Sequence, residues 1–464
     1  MSAPPADVVD RLERLADHAP RGAAEPHALW EGGRLRQRRR TASMLAGVVA
    51  AGVLATAMTP AVLSGVEPPI AAPSQQMVLP DVLRAPGPWD PAFSVTPRRL
   101  SAVGVGQRSN LLSSSATLWG VSAATGESRW LELPGAVPSA GAEAQLSADG
   151  RRLAYWVTGE TSEEPLATDG TEDGTPVVGV AVMNLETGEV ARWDVDSDHG
   201  LSVDGLVWAG DVLWWQAGPV VRLGTGVSRA EIRTRTWHVE TGERLELGGK
   251  DERAAVHLSQ PGHAPRGFVT LPRAFRLEHV TEADAPVDLR MDLPPDAPSA
   301  AGLVDPQMAP DGVRIAALMM RDATVFDDSD AKELLVGSAT VGTVVLEPVG
   351  GVGAQALLGW RSPTEIVVVH PSTGGDTDGD GARETKELWI ADLSVPDRPG
   401  FEPWIVVQSN SMPTFAMNAW RGDVIAAPDA PFAPDPRVVG LAGMVVIVFC
   451  VSLWRDLRRR RGHP

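Results

Sequence analysis

Residues Leu146–Val157 read "LSADGRRLAYWV", an Asp-Gly pair followed two residues later by an unbroken apolar run. Asp-Gly is turn chemistry, because glycine takes the left-handed backbone that other residues resist. The run after it is rich in aromatic and aliphatic residues and too short for a helix, so it reads as a strand. The pattern returns as "MAPDGVRIAALMM" from Met308 and, more weakly, as "LSVDGLVWAGDVLWWQA" from Leu201. Gly150, Gly312 and Gly205 are the residues expected to turn the chain.

A second repeat is interleaved with the first. "LWGVSAATGESRWLEL" from Leu118, "VAVMNLETGEVARWDV" from Val180 and "TRTWHVETGERLELGG" from Thr234 each set a Thr-Gly turn, at Thr125, Thr187 and Thr241, between two strand-like runs. "TVVLEPVGGVGAQALLGW" and "LWIADLSVPDRPGFEPWIV" are degenerate versions further along. The chain is therefore built of units of several short strands. One such unit buries neither face alone, so units of this size stack, and radial closure hides their edges.

"SADGRRLAYW" and "APDGVRIAAL" resemble the blade motif of WD40-type and TolB-type β-propellers, and the Thr-Gly turns followed by Trp130 and Trp193 are similar to the quinoprotein-like propeller repeat. The resemblance implies an all-β propeller over residues 93–427. Dividing that span by a ~50-residue blade predicts six or seven blades. It further implies that strands from both chain ends complete one blade, bringing the ends together. Propellers host binding, scaffolding and several chemistries, so the resemblance is silent on function.

Outside this span the sequence predicts a membrane protein. Thr41–Val66 and Val438–Trp454 carry no charged residue and approach or exceed the ~20 residues that cross a bilayer. Arg34, Arg36 and Arg38–Arg40 precede the first run; Arg455 and Arg458–Arg461 follow the second. Cationic flanks stay cytoplasmic, which puts both termini inside and the middle outside. Cleavage of the first run as a secretory signal after the small residues Ala55 and Ala57 is the alternative. The expected order is a cytoplasmic head (1–40), a membrane helix (41–66), a Pro-rich stalk (67–92), the propeller (93–427), a second stalk (428–437), a second membrane helix (438–454) and a basic cytoplasmic tail (455–464).

Composition narrows the partners. The chain has 43% hydrophobic and 22% charged residues, ordinary for a globular protein, and its one cysteine, Cys450, excludes an intrachain disulfide framework. Residues 41–454 hold 28 basic and 52 acidic residues, a net charge of −24. Such a surface repels nucleic acid and anionic lipid heads and favours cations or basic partners.

One loop has metal-ligand spacing. In "DTDGDGARETKE", Asp376, Asp378 and Asp380 alternate, Gly381 permits a sharp turn, Ala382 offers a carbonyl and Glu387 stands twelfth, as in a calcium loop. The flanks "EIVVVHPST" and "LWIADL" are strand-like rather than helical, so a solvated hairpin tip fits the same residues. Calcium is thus the one cofactor the sequence suggests. The acidic stretches "DVDSDHG" and "TDGTEDGTP" lack that register, and the chain has no HExxH, no GxSxG and no P-loop.

Two further features bear on partners. Trp208, Trp214 and Trp215 lie in alternating apolar context, predicting strand packing, with a carbohydrate surface as the other reading. In the head, "ADVVDRLERLADHA" sets Val8, Leu12 and Leu15 on one helical face, which predicts contact with the membrane surface or a cytosolic protein. The whole layout is similar to actinobacterial membrane proteins encoded beside extracytoplasmic-function sigma factors. That likeness implies a regulator, and with the propeller and its anchors the expected function is a membrane-anchored extracytoplasmic binding, sensing or scaffold module that relays to a cytosolic regulator, the alternative being a cell-surface hydrolase or quinone-linked dehydrogenase.

Overall fold

The computed structural model describes residues 76–110, 113–137, 144–166, 175–223, 226–229, 232–247, 302–310, 313–320, 331–338, 343–371, 385–395 and 399–429, together with backbone strands within 266–292 and scattered positions between 294 and 298 and between 435 and 455. The Asp-Gly turn of Leu146–Val157 shows why the motif folds as it does. Gly150 has φ +66°. Ser147 Oγ donates to Asp149 Oδ1 at 2.7 Å and accepts from the Arg152 N–H at 3.0 Å, while Asp149 Oδ1 also accepts from the Arg151 N–H at 3.1 Å. Each side chain of Ser-x-Asp-Gly thus answers a backbone or side-chain group within five residues.

The Thr-Gly turns are equally regular. Gly126, Gly188 and Gly242 have φ of 72°, 78° and 76°. In each, the threonine hydroxyl accepts from the N–H two residues on, at 3.3, 3.2 and 3.3 Å. The residue three before the threonine, Ser122, Asn184 or His238, accepts the threonine's own N–H at 3.3 Å. Local chemistry alone therefore fixes three equivalent turns.

These turns connect strands in chain order. β1 (Val78–Pro80) and β2 (Val82–Arg84) come first, then β3 (Leu100–Ser109), β4 (Ser114–Ser122) and β5 (Ser128–Trp130). A second group is β6 (Gln145–Leu146), β7 (Arg152–Thr158), β8 (Val177–Asn184) and β9 (Val190–Asp194). The third is β10 (Leu201–Ala209), β11 (Val212–Leu223), β12 (Gly226–Arg229), β13 (Arg233–His238) and β14 (Glu243–Leu247). There follow β15 (Arg266–Leu271), β16 (Ala274–His279) and β17 (Val287–Asp292), then β18 (Gly302–Met308), β19 (Arg314–Met320), β20 (Lys332–Ser338), β21 (Thr343–Val345) and β22 (Glu347–Ala354). The last are β23 (Ala356–Ser362), β24 (Glu365–Val369), β25 (Thr385–Asp392), β26 (Gly400–Gln408), β27 (Thr414–Phe415) and β28 (Asp423–Ile425).

Five sheets are antiparallel meanders of the blade type: β27-β3-β4-β5, β6-β7-β8-β9, β10-β11-β13-β14, β18-β19-β20-β22 and β23-β24-β25-β26. The propeller thus has five regular blades among the described residues, not six or seven. Division by blade length overcounts because the described residues between 248 and 301 supply three strands rather than a four-strand meander. Their β15, β16 and β17 form a sheet completed by β21 in parallel pairing, Arg290 opposite Thr343.

Packing explains the unbroken apolar runs. Along β7, Leu153, Tyr155 and Val157 join the core shared with the first blade, whereas Ala154 and Trp156 join the core shared with the third. In β19, Ile315, Ala317 and Met319 face one cluster and Ala316 and Leu318 the other, which holds Trp360, Ile366 and Val368 of the fifth blade. Both faces of a middle strand are buried, so alternation gives way to continuous hydrophobicity. A blade packed between neighbours requires this, and a sheet with one solvated face does not.

The chain ends close the structure as expected. β27, from the C-terminal side, pairs with β3, Thr414 opposite Val103. β2 adds in parallel to β26, Val82 opposite Val406, and β1 pairs in parallel with β28, Val78 opposite Asp423. Leu79 and Leu83 are fully buried. The Pro-rich segment expected as a stalk over 67–92 therefore belongs to the propeller from residue 77 on. Its prolines are compatible with strands paired on one edge only.

The expected turn at Gly205 is also corrected. Asp204-Gly205 lies within β10, where the register shifts between Val203 and Gly205 as at a β-bulge. The chain reverses instead at Gly210, φ +60°. No helix among the described residues is long and apolar enough to cross a membrane. The first apolar run and the head with Val8, Leu12 and Leu15 lie outside the described residues. In the second run, residues 443–445 and 447–452 are helical, and Met444, Val445, Val448 and Phe449 are exposed.

Candidate functional site

Because strands in a blade alternate in direction, the turns joining its first to second and third to fourth strands emerge at the same end. The Asp149-Gly150 and Thr187-Gly188 turns of the second blade and the Gly210-Asp211 and Thr241-Gly242 turns of the third consequently meet on one face. Between them is a cleft of about 580 Å³. Its floor is aliphatic: Val182 is buried, and Ala191, its partner across β8 and β9, and Val239 complete it.

The rim is charged. Arg152, from the Asp-Gly motif of the second blade, donates from Nη1 to Asp211 at 3.1 Å and from Nη2 to Glu240 at 2.6 Å, both in turns of the third blade. Beside Arg152, on the same blade, stand Asn184, its partner across β7 and β8, and Glu189 of the Thr187-Gly188 turn. Asn184 Oδ1 is committed to the N–H groups of Glu186 and Thr187. Glu189 Oε2 accepts only a long 3.4 Å contact from the Thr187 hydroxyl. The cleft thus presents an apolar bed between one arginine and two glutamates.

Behind it the two blades are joined through tryptophans. Trp215 lies edge-on to Trp156 and Trp193, with centroids 5.9 and 5.2 Å away. Arg235 lies 4.8 Å over Trp215 and donates to the Ala217 carbonyl at 3.2 Å and to Glu246 at 3.0 Å. At the outer edge, Arg244 lies over Trp193 and Trp237 and donates to the Arg192 carbonyl at 2.6 Å.

Titration follows from these contacts. Burial pulls the Arg235 guanidinium below its usual range, opposed by Glu246. Burial would raise the Glu246 carboxyl, but hydrogen bonds and charge from Arg233 and Arg235 outweigh it and hold it below the usual carboxylate range. A carboxyl depressed on folding adds stability above its unfolded value of ~4.3, and that stability is lost as pH falls through the folded value. Glu246→Gln is accordingly expected to lower the melting temperature at about pH 7 and to flatten its fall between about pH 5 and 3. Parallel acid limbs for both proteins would contradict this.

The residues singled out in the sequence fall elsewhere. Asp376, Asp378, Asp380 and Ala382 lie outside the described residues. Glu387 is on β25 rather than a helix, opposite Val406, and its carboxylate accepts from Trp389 Nε1 at 3.0 Å. Among the described residues no group of three or more His, Cys, Asp or Glu side chains is placed to hold a metal ion. Trp208, Trp214 and Trp215 are buried in strand packing, and Trp208 Nε1 donates to the Gln145 carbonyl of the preceding blade at 3.0 Å. Sequence reasoning missed Arg152, Asp211 and Glu240. The one available signal was that all three sit in or beside the repeated turns.

No protein-family model and no curated protein sequence matches this chain. Among solved structures it is similar to virginiamycin B lyase from Staphylococcus aureus, at 12% identity over 68% of this chain and 87% of that one, with a TM-score of 0.33. It is also similar to prolyl oligopeptidase B from Galerina marginata, at 11% identity over 67% of this chain and 51% of that one, TM-score 0.30. Hydrazine synthase from Kuenenia stuttgartiensis is matched at 12% identity over 59% of this chain and 66% of that one, TM-score 0.30. At these values the likenesses carry no argument about activity, and the propeller fold rests on the strand topology described above.

Proposed function

We propose that the chain is a membrane-anchored extracytoplasmic β-propeller that acts as a binding or sensing module. The observation that carries this reading is the pairing of β1 with β28. It sets the two ends of the propeller within about one three-residue strand, ~10 Å, of each other. Each end leads to an uncharged apolar run flanked by arginines. The exposed Met444, Val445, Val448 and Phe449 of the second run supply an apolar surface of the kind lipid covers. On this reading the head, with Val8, Leu12 and Leu15, meets the inner membrane surface or a cytosolic protein.

Binding is favoured over surface catalysis by where the perturbed groups sit. Tyr155 is pushed up to about 12 mainly by burial, burial lowers Arg235, and hydrogen bonds and charge from Arg233 and Arg235 outweigh burial to hold Glu246 low. Tyr155 is packed between blades and the other two form an ion pair. Perturbed groups at a catalytic centre instead converge on an open cleft.

The reading is tested by labelling intact cells with a membrane-impermeant maleimide in a Cys450→Ser background. Ser115→Cys, exposed on β4, is expected to label in intact cells, and Ser2→Cys only after lysis. Labelling of Ser115→Cys only after lysis would overturn it.

A further inference from the structure

We propose that the cleft between the second and third blades receives a basic side chain, arginine or lysine, carried on an extended segment of a partner protein. This rests on the binding-module reading above. The floor of Val182, Ala191 and Val239 matches a methylene stem, which buries against apolar surface while its charged head stays at a polar rim. That rim carries Glu189 on the second blade and Glu240, already paired with Arg152, on the third, two carboxylates to one guanidinium.

Arg152 shows that this rim accepts such a head. Its guanidinium is divided between Asp211 and Glu240 across the blade boundary, and Glu189, on the second blade like Arg152, has among the described residues only the weak hydroxyl contact from Thr187. An incoming cation therefore meets one carboxylate with little to displace and a second that it shares with Arg152. The cleft's volume, about 580 Å³, lies in the range of sites that enclose a few side chains. β9, which supplies Ala191, is the outer strand of its blade and leaves an edge on which an extended segment can seat up to the Arg192 carbonyl that Arg244 occupies. The net charge of −24 over residues 41–454 draws basic partners and turns away acidic ones.

Fluorescein-labelled hexa-arginine, followed by anisotropy against the full-length protein in detergent, is the test. Glu189→Gln with Glu240→Gln is expected to weaken binding about tenfold, two rim charges at the upper end of their usual effect. The remote pair Glu160→Gln with Asp196→Asn, the same change in net charge, is expected to weaken it less than about twofold. Ala191→Trp, which fills the cleft from an exposed edge-strand position without altering charge, is expected to weaken it at least as much as the rim pair. Equal effects of the two acidic pairs, unchanged binding by Ala191→Trp, or no binding by the parent protein would each overturn the assignment. Those outcomes leave the maleimide labelling untouched, so failure of the cleft and failure of the anchored reading are distinguishable.

Discussion

Gly150→Ala is expected to destabilise the propeller by about 3 kcal/mol or more, whereas Gly242→Ala, in a turn of nearly the same backbone angle, is expected to cost only about 1 kcal/mol. Both glycines are left-handed, at φ +66° and +76°. An added Cβ at Gly242 meets nothing within 4 Å, so that variant reports backbone strain alone. At Gly150 the same atom falls 2.1 Å from the Leu100 carbonyl oxygen and 2.6 Å from Met77 Cε. The methyl of Met77 can move; a carbonyl fixed in a sheet cannot without moving its strand.

The strand in question is the second one of the first blade. The Leu100 N–H donates to the Gly150 carbonyl at 2.9 Å, and Arg99 Nε donates to the Asp149 carbonyl at 3.1 Å, so the turn holds the first blade to the second. Leu100 is fully buried. Pushing it outward opens the core where the ring closes. Urea denaturation of the two variants beside the parent separates the effects, and equal losses would show that the clash is relieved by some movement of the turn.

That glycine also marks how far the sequence could be read. Asp149-Gly150 and the three Thr-Gly turns were legible because their hydrogen bonds close within about five residues, and the dipeptide carries all the information needed. Asp204-Gly205 has the same letters but lies inside β10, because Leu206–Ala209 pair with Val212–Trp215 and the reversal is forced to Gly210. The number of blades was illegible for a related reason. β21 joins β17 and β2 joins β26 through parallel pairings between residues far apart in the chain, and these leave no periodic trace. The cleft was hidden too. Arg152 looks like any solvated arginine after a turn until the next blade brings Asp211 and Glu240 to it.

Trp215→Ala is the second large effect, expected at about 4 kcal/mol, with Trp215→Phe at about 1–2 kcal/mol. Trp215 is fully buried at the centre of the join between the second and third blades, between Trp156 and Trp193 and beneath Arg235. Truncation to alanine leaves a cavity in a close-packed region and removes both edge-to-face contacts. Phenylalanine keeps an aromatic face for Arg235 and fills most of the space. It also forfeits no hydrogen bond, since the Trp215 indole N–H is buried without an acceptor among the described residues. A buried donor lacking a partner is itself a cost, so its loss offsets part of the lost volume. The ordering alanine far below phenylalanine, phenylalanine close to the parent, therefore tests whether this tryptophan acts through its ring or its nitrogen. Equal loss by both variants in urea denaturation would show that an indole-specific contact, rather than aromatic packing, holds the blades together.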